Sequence, residues 1–250
     1  MRKRTYGVLL RVYTPKTEEV ADRVDRAMAH VKSIRAVSAE FAALRRVALL
    51  VPSDHDCGET ASALHRRLLA ESMPEVAVWA LPGHHSCEVL NGGVKGLQAK
   101  ETHAIIISGK ALSYLTPASM HGIDQAFADG GLVAGVATDE LRDIVLDGRP
   151  QNTFAAWDID ALLDVGGFDS SKGVEEIAPI ARLVQKHGRC IVPLNSAGGK
   201  LDIASSETAR ARHAEVMATK LERQLAECAR TDSSFDEIRA GIMPGYPRAV

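Results

Sequence analysis

The 250-residue chain has few aromatic residues, no closely spaced cysteines and no long apolar run, and each absence excludes a class of protein. Phe, Trp and Tyr make up 4% of the residues, which argues against a surface that stacks the bases of single-stranded nucleic acid. The four cysteines, Cys57, Cys87, Cys190 and Cys228, form no C-x-x-C pair, so a disulfide framework is not expected.

Charge and hydropathy exclude two further classes. The formal net charge is −2, so we expect no general affinity for nucleic acid or for an anionic membrane. The basic residues 1–4 precede an apolar run over 6–12 that is too short for a signal peptide core or a membrane span. The rest of the composition is that of an ordinary soluble globular protein. We therefore expect a cytoplasmic location and no transmembrane segment.

Short apolar strands alternate with amphipathic helices along the chain. Apolar runs predict strands at 7–13, 47–51, 76–81, 104–107, 132–136 and 189–194. Apolar residues at helical spacing predict helices between them, including 94–99, 158–165 and 174–187, the last kinked or restarted at Pro179, and then a long helix over 205–228. Continuously apolar strands that alternate with helices predict an α/β fold with a mainly parallel sheet covered on both faces.

We expect one domain over residues 1–204 and a C-terminal helix and tail over 205–250. The helix carries one apolar stripe, and its polar face has mixed charge, which disfavours an anionic membrane surface. The stripe is expected to pack on its own domain or on a second subunit, in which case it would form a homodimer. The residues of the stripe are Ala214, Met217, Leu221 and Leu225.

Four motifs follow the predicted strands in a distinctive order over residues 7–194. Tyr13-Thr14-Pro15 ends the first strand, and an acidic turn over 54–60 follows the second. Asn91-Gly92-Gly93 then precedes the fourth strand. Residues 152–157 and 162–169 follow it, and the latter stretch ends in Gly-Gly-Phe-Asp before Glu175-Glu176. In order and spacing these motifs resemble the family 2 glycosyltransferases.

This resemblance implies a single-domain glycosyltransferase type A fold, which is a three-layer fold of the nucleotide-diphospho-sugar transferase kind with a mainly parallel mixed sheet. It implies a nucleotide-sugar donor bound at the carboxyl ends of the first strands, and transfer of the sugar to an acceptor that the sequence does not identify. Pro52 and Ser53 replace two aspartates of the family's base-binding turn, and Asp56 is equally explained as a helix N-cap. The donor-site residues that the resemblance implies are Thr14, Pro15, Asp54, Asp56, Asn91, Lys95, Ser108 and Lys110.

The metal motif of the family is missing from this sequence. The fourth strand should end in Asp-x-Asp, but the chain reads Ser108-Gly109-Lys110. Mg²⁺ and Mn²⁺ require hard oxygen ligands, and this position provides no carboxylate. We therefore assign no cofactor, and keep Mg²⁺ or Mn²⁺ as an alternative. In one hypothesis Lys110 replaces the metal against the pyrophosphate, helped by Lys95 and by backbone amides after Asn91. In the other hypothesis Lys110 is a solvated loop lysine.

The resemblance also implies a catalytic base and an acceptor pocket. Glu176 matches the base of the family and Glu175 precedes it, although acidic residues also favour the first turn of any helix. Asn152, Thr153 and Trp157 match the part that shapes the acceptor or sugar pocket. Trp157 could stack on a sugar face or belong to the core.

Three other functions are weighed against an active transferase. The missing aspartates favour a catalytically inactive binding or assembly module. A nucleotidyltransferase would carry a Gly-rich basic loop after the first strand, which residues 13–17 do not match. A zinc site is the third alternative, but the spacing of its candidate ligands matches no zinc pattern, and exposed loop residues explain them equally. These candidates are His55, Cys57, His84, His85 and Cys87.

Overall fold

The computed structural model describes residues 3–12, 18–52, 57–81, 87–136, 152–169, 174–194, 211, 214–215 and 218–244. A seven-stranded sheet forms its centre, with strand order β3-β2-β1-β4-β6-β5-β7. Only β6 runs antiparallel to its neighbours within this sheet, so the predicted mainly parallel mixed sheet is confirmed. The strands are β1 (Tyr6–Arg11), β2 (Leu44–Pro52), β3 (Val76–Leu81), β4 (His103–Ile107), β5 (Val133–Val136), β6 (Phe154–Asp158) and β7 (Ile191–Leu194).

Helices cover both faces of the sheet, as the apolar strands predict. The first layer, on one face, contains α1 (Val20–Glu40), α2 (Cys57–Ala70), a 3-10 helix (Gly109–Tyr114) and α4 (Pro117–Ala128). The second layer, on the other face, contains α3 (Cys87–Gln98), α5 (Ile159–Asp164), α6 (Ile177–His187), α7 (Lys220–Arg230) and α8 (Phe235–Ala240). None of the helices in the described ranges combines the length and the apolarity needed to cross a lipid bilayer.

Side chains of the central strands point alternately into the two layers. Leu10 of β1 and Ile107 of β4 belong to the first layer, and Leu9 and Ile106 belong to the second. Every residue of β4 is buried. Because both faces are covered, neither can be polar, which explains why the strands read as continuous apolar runs rather than as an alternating pattern.

Helix α3 begins earlier than the sequence predicts. The helix was expected only over 94–99, with Asn91-Gly92-Gly93 as a loop, and this prediction was wrong. Glycine disfavours a helix interior, but here the glycines let the helix approach the sheet closely. A Cβ atom on Gly93 would lie 3.1 Å from the Leu50 side chain, and one on Gly96 would lie 2.6 Å from the Trp79 ring. Close packing therefore outweighs intrinsic helix propensity.

Two further predictions need correction in the second half of the chain. Strand β6 was not predicted, because Ala155 and Ala156 are weak strand formers; pairing with β4 on one side and β5 on the other stabilises it. No kink or restart at Pro179 is required, because this residue is the third of α6. The first four N–H groups of a helix have no partner within the helix, so a proline is tolerated there.

The described part of the C-terminal segment packs on the second layer. The buried face of α7 carries Gln224, Glu227 and Cys228, whereas Leu225 is 51% exposed. Leu225 of the predicted stripe therefore does not pack on this domain, and polar side chains occupy the buried face of α7 instead. After α8, Ile242 forms a parallel bridge with β7. The homodimer through this helix remains a prediction.

A partly buried polar cluster lies at the amino ends of β1 and β4. Arg4 donates to both carboxylate oxygens of Asp124 on α4, at 2.8 and 3.2 Å, and the Tyr6 hydroxyl donates to the same carboxylate at 2.8 Å. The His103 ring contacts the rings of Tyr6 and Phe127, with centroid separations of 5.0 and 4.1 Å. Burial lowers the pKa of His103 to about 4, so its imidazole is neutral near pH 7.

We expect His103 to make the free energy of unfolding depend on pH between about 6.5 and 4. The unfolded chain binds a proton at His103 near pH 6.5, whereas the folded chain does so only near pH 4. Stability is therefore highest above this window and falls as the pH decreases through it, by on the order of 2–3 kcal/mol.

Urea unfolding of wild type and His103→Gln between pH 7 and pH 5 tests this expectation, because carboxylates titrate little in that range. The variant should show a flatter dependence on pH. His65→Gln, at an exposed position on α2, is the matched control and should keep the wild-type slope. Equal slopes in all three proteins would refute the role of His103.

Candidate functional site

The carboxyl edge of the sheet brings three strand ends into one row. Leu10 of β1 is in register with Ile107 of β4, and β6 begins opposite the same residue. The next residues along, Arg11, Ser108 and Thr153, therefore lie side by side, because neighbouring strands are about 4.8 Å apart. The Ser108 N–H donates to the Thr153 carbonyl at 2.9 Å, which extends the pairing of β4 with β6 by one hydrogen bond.

Four of the predicted donor residues follow strands at this edge but lie outside the described residues. Thr14 and Pro15 come a few residues after β1, and Asp54 and Asp56 come after β2. Their contacts with a donor stay predictions. The zinc hypothesis also depends on residues outside the described ranges, namely His55, His84 and His85.

Two buried carboxylates stand at the amino end of α6, beside this row. Glu175 and Glu176 are 8% and 3% exposed, and Arg11 Nη2 lies 3.2 Å from Glu175 Oε1. Burial raises the pKa of Glu175 and the charge of Glu176 adds to the rise, whereas Arg11 and Lys220 oppose it. A buried carboxyl group with a raised pKa is a candidate for proton exchange with a bound group. The structure thus brings both predicted bases to the carboxyl edge.

Asn91 holds the Gly-Gly-Phe-Asp loop against α3. Its Oδ1 atom accepts from the Phe168 N–H at 2.9 Å, and its Nδ2 atom donates to the Phe168 carbonyl at 2.6 Å. Gly167 has a φ of 70°, and a Cβ atom there would lie 2.5 Å from Asn91 Oδ1. Both ends of the amide are used in this pairing. Contact between Asn91 and a donor nucleotide would require the pairing to break.

The aspartate of the same loop is held by two arginines. Asp169 pairs with Arg182 of α6 and with Arg230 of α7. Arg230 also pairs with the buried Glu227 one turn earlier on α7. These ion pairs connect the C-terminal helix to the loop that precedes the two carboxylates, so α7 is part of the framework of the site.

The residues of the predicted sugar pocket lie partly in the core and partly at the carboxyl edge. Trp157 is fully buried, packs edge-on against Phe168 at 5.2 Å, and donates through Nε1 to Asn152 Oδ1 at 3.1 Å. No face of its indole is open to a sugar in this structure, which favours the core alternative. Thr153 is partly exposed in the row. Within the described residues, Asn152 Nδ2 and Ser108 Oγ are buried without a hydrogen-bond partner.

The two predicted lysines are both exposed. Lys110 is exposed on the 3-10 helix of the first layer, where Gly109 packs against His30 of α1. Lys95 is exposed on α3, eight residues after Cys87, which places it about 12 Å along the helix from the carboxyl edge. The backbone amides after Asn91 lie inside α3 rather than at its start, so they are not open to an anion as predicted.

The residues at the end of β4 do not fit a divalent cation. Ser108-Gly109-Lys110 provides no carboxylate, and the Lys110 ammonium would repel a metal ion. Among the residues that the structure describes, no three His, Cys, Asp or Glu side chains come together as metal ligands would.

The sequence analysis missed two basic residues near Glu175, Arg11 and Lys220, and a buried glutamine on the same helix as Lys220. Arg11 ends β1, Lys220 begins α7, and Gln224 follows one turn later, fully buried, with neither polar atom hydrogen-bonded within the described part of the chain. A charged residue at the end of an otherwise apolar strand was a usable signal for Arg11. The sequence carries no comparable signal for the other two, because their position depends on how α7 packs.

Comparison with known proteins places this geometry in a known fold. No protein-family model matches the chain, and no curated protein matches it by sequence. The solved structure of the mannosyltransferase PcManGT from Pyrobaculum calidifontis, in complex with GDP-Man and Mn²⁺, superimposes with a TM-score of 0.66 at 14% identity. The match covers 92% of this chain and 65% of that one, so the chain spans about two thirds of the length of that enzyme.

Nucleotidyltransferases also match, at lower similarity. The 4-diphosphocytidyl-2C-methyl-D-erythritol synthase from Anaerococcus prevotii has a TM-score of 0.49 at 11% identity, covering 85% of this chain and 96% of that one. The fold assignment rests on the mannosyltransferase and on the strand order. The chain has the single-domain, three-layer α/β fold of the nucleotide-diphospho-sugar transferases, and the predicted fold class is confirmed.

Replacing Gly167 with alanine should lower the free energy of unfolding more than the same change at Gly130. Both residues have positive φ, 70° and 97°, so each alanine costs about 1–2 kcal/mol of backbone strain. Only at Gly167 would the new Cβ atom meet another atom, because nothing lies within 4 Å at Gly130. We expect a further loss of about 1–3 kcal/mol there from the displaced Asn91–Phe168 pairing. Urea unfolding measures both changes, and equal losses would contradict this interpretation.

Proposed function

We propose that the protein is a glycosyltransferase-like protein that binds a nucleotide-sugar donor at the carboxyl edge of the sheet and transfers the sugar to an acceptor hydroxyl. The observation that carries the proposal is the buried pair Glu175–Glu176 at the amino end of α6, held beside the ends of β1 and β4 by Arg11. The mannosyltransferase of the same fold was solved with GDP-Man, which supports a nucleotide-sugar as the donor class. The donor sugar and the acceptor are not assigned.

In this proposal the carboxylates act on the acceptor. Glu176 occupies the position of the family's base and removes the proton of the attacking hydroxyl, while Glu175 is the neighbouring carboxylate paired with Arg11. Burial of both groups excludes water and strengthens their electrostatic effect on a bound hydroxyl. Thr153, partly exposed in the row, lies where it could contact the sugar.

The donor side depends on loops that follow β1 and β2. Thr14, Pro15, Asp54 and Asp56 are proposed to contact the nucleoside, and the residues at the end of β4 to contact the diphosphate. No step is assigned to a metal ion, because the end of β4 offers no carboxylate. A reaction without metal needs hydrogen-bond donors and cationic side chains to stabilise the leaving diphosphate.

A second function is an inactive module that keeps the fold for binding or assembly. The missing aspartates at the end of β4 favour it, since the fold by itself does not imply catalysis. In this case nucleotide-sugar binding without turnover, or no binding, is expected.

A thermal-shift panel of nucleotide-sugars and nucleoside diphosphates, each with EDTA, Mg²⁺ or Mn²⁺, tests donor binding. A ligand that binds only the folded state raises Tm, and at 100 times its Kd it adds about 2.7 kcal/mol to the free energy of unfolding. We expect a rise that is the same in EDTA. A rise that requires Mn²⁺ would show that a metal site exists elsewhere, and no rise with any donor would favour the inactive module.

Replacing the base separates catalysis from binding. We expect Glu176→Gln to lower the rate of donor turnover about 10²–10⁴-fold, because the amide cannot accept the acceptor proton, while the donor-induced rise in Tm is retained. Glu75→Gln, at an exposed position before β3, is the matched control. Unchanged turnover in Glu176→Gln would show that Glu176 is not the catalytic base.

A further inference from the structure

We propose that Arg11, Ser108 and Asn152 form an anion subsite that binds the diphosphate of the donor in place of a divalent cation. This inference rests on the proposed function, from which it takes the diphosphate as ligand. In this subsite Arg11, at the end of β1, provides the positive charge that neutralises the diphosphate, rather than Lys110.

Two unpartnered polar atoms at the carboxyl edge point to a ligand. Ser108 Oγ and Asn152 Nδ2 are buried, and neither has a hydrogen-bond partner among the described residues. Asn152 is 4% exposed, and its other amide atom, Oδ1, is occupied by Trp157 Nε1. A buried polar atom without a partner lowers stability, so its presence at a strand end is explained if a ligand satisfies it. Both atoms can donate a hydrogen bond.

The three side chains lie on the same face of the sheet. Ile106 belongs to the second layer and Ile107 to the first, so alternation directs Ser108, whose backbone is still extended, to the second. Asn152 reaches the same side, because its partner Trp157 belongs to the second layer.

Arg11 follows the same rule in β1 and reaches Glu175, which lies in the second layer next to α6. Since β1, β4 and β6 are adjacent, the three side chains start from neighbouring strand ends.

Arg11 has N–H groups that are available to bind an anion. Its guanidinium carries five N–H groups, and the described structure gives it a single hydrogen bond, to Glu175 at 3.2 Å. The side chain is 28% exposed, so a ligand can approach it. A planar guanidinium binds phosphate oxygens through two parallel hydrogen bonds. Lys220 supplies a second positive charge near Glu175, which offsets that carboxylate when Arg11 turns to a ligand.

The chemistry of this set suits an anion and not a metal ion. A hydroxyl, an amide NH₂ and a guanidinium all donate, and a divalent cation requires oxygen ligands that accept. Lys110 is exposed on the 3-10 helix that follows β4, and the structure gives it no contact with Glu175. Hydrogen-bond donors thus stand at the strand end where the Asp-x-Asp motif of the family would provide metal-binding carboxylates.

Calorimetric titration with inorganic pyrophosphate in EDTA, at constant ionic strength, tests the subsite in the full-length protein. We expect wild type to bind pyrophosphate and Arg11→Gln to bind at least about tenfold more weakly, which is the effect of losing one charge-assisted hydrogen bond. Asn152→Asp keeps the acceptor for Trp157 but replaces the donor with a carboxylate, and should weaken binding at least as much. Arg66→Gln, at an exposed position on α2, should bind as wild type does.

Ser108→Ala distinguishes a ligand-binding role from a structural one. The substitution removes a buried hydroxyl that has no partner in the described structure, so Tm without ligand should stay the same or rise while pyrophosphate binding weakens. A fall in Tm with unchanged binding would overturn the role of Ser108. It would show that the hydroxyl supports the fold.

The outcomes separate this inference from the proposed function. If pyrophosphate does not bind wild type, or if Lys110→Ala abolishes binding while Arg11→Gln does not, the subsite is refuted even when nucleotide-sugars raise Tm. If the three variants weaken pyrophosphate binding but no nucleotide-sugar binds, the subsite stands and the proposed function fails.

Discussion

The insertion of antiparallel β6 between β4 and β5 is the constraint on which the rest of the site depends. Because β6 runs against its neighbours, Asn152 and Thr153, which directly precede it, lie at the carboxyl edge, and its last residue, Asp158, lies at the amino edge. There Asp158 caps α5, which leads the chain towards the Gly-Gly-Phe-Asp loop and then to Glu175. A parallel strand in this position would place its first residues at the opposite edge, away from Arg11.

The carboxylates are positioned by contacts that join distant parts of the second layer. Asn91 of α3 pairs with both backbone groups of Phe168, and Asp169 pairs with arginines of α6 and α7. These bonds hold the loop from both sides. The buried face of α7 is polar at Gln224 and Glu227, which is consistent with a helix that faces a charged region rather than a purely apolar core.

Hydrogen-bond donors and carboxylates meet at the carboxyl edge of the sheet. The end of β4 offers a hydroxyl in place of carboxylates, and Arg11 of the adjacent β1 lies beside it. Arg11 and Lys220 partly neutralise a pair of acidic residues that would otherwise be costly to bury together. Under the proposed function, this balance of charge lets the diphosphate of the donor approach the proposed base.

The sequence by itself determined the class of the fold, because continuous apolar strands that alternate with helices require a sheet covered on both faces. The order of its motifs also indicated the nucleotide-diphospho-sugar transferase fold and placed Glu175 and Glu176 near the site. Only the tertiary structure decided which side chains meet there. Asn91 bridges to Phe168, Trp157 is buried in the core, and Arg11 pairs with Glu175 across 164 residues of sequence. These outcomes depend on strand register and helix packing, which arise from contacts between distant residues and leave no local pattern in the chain.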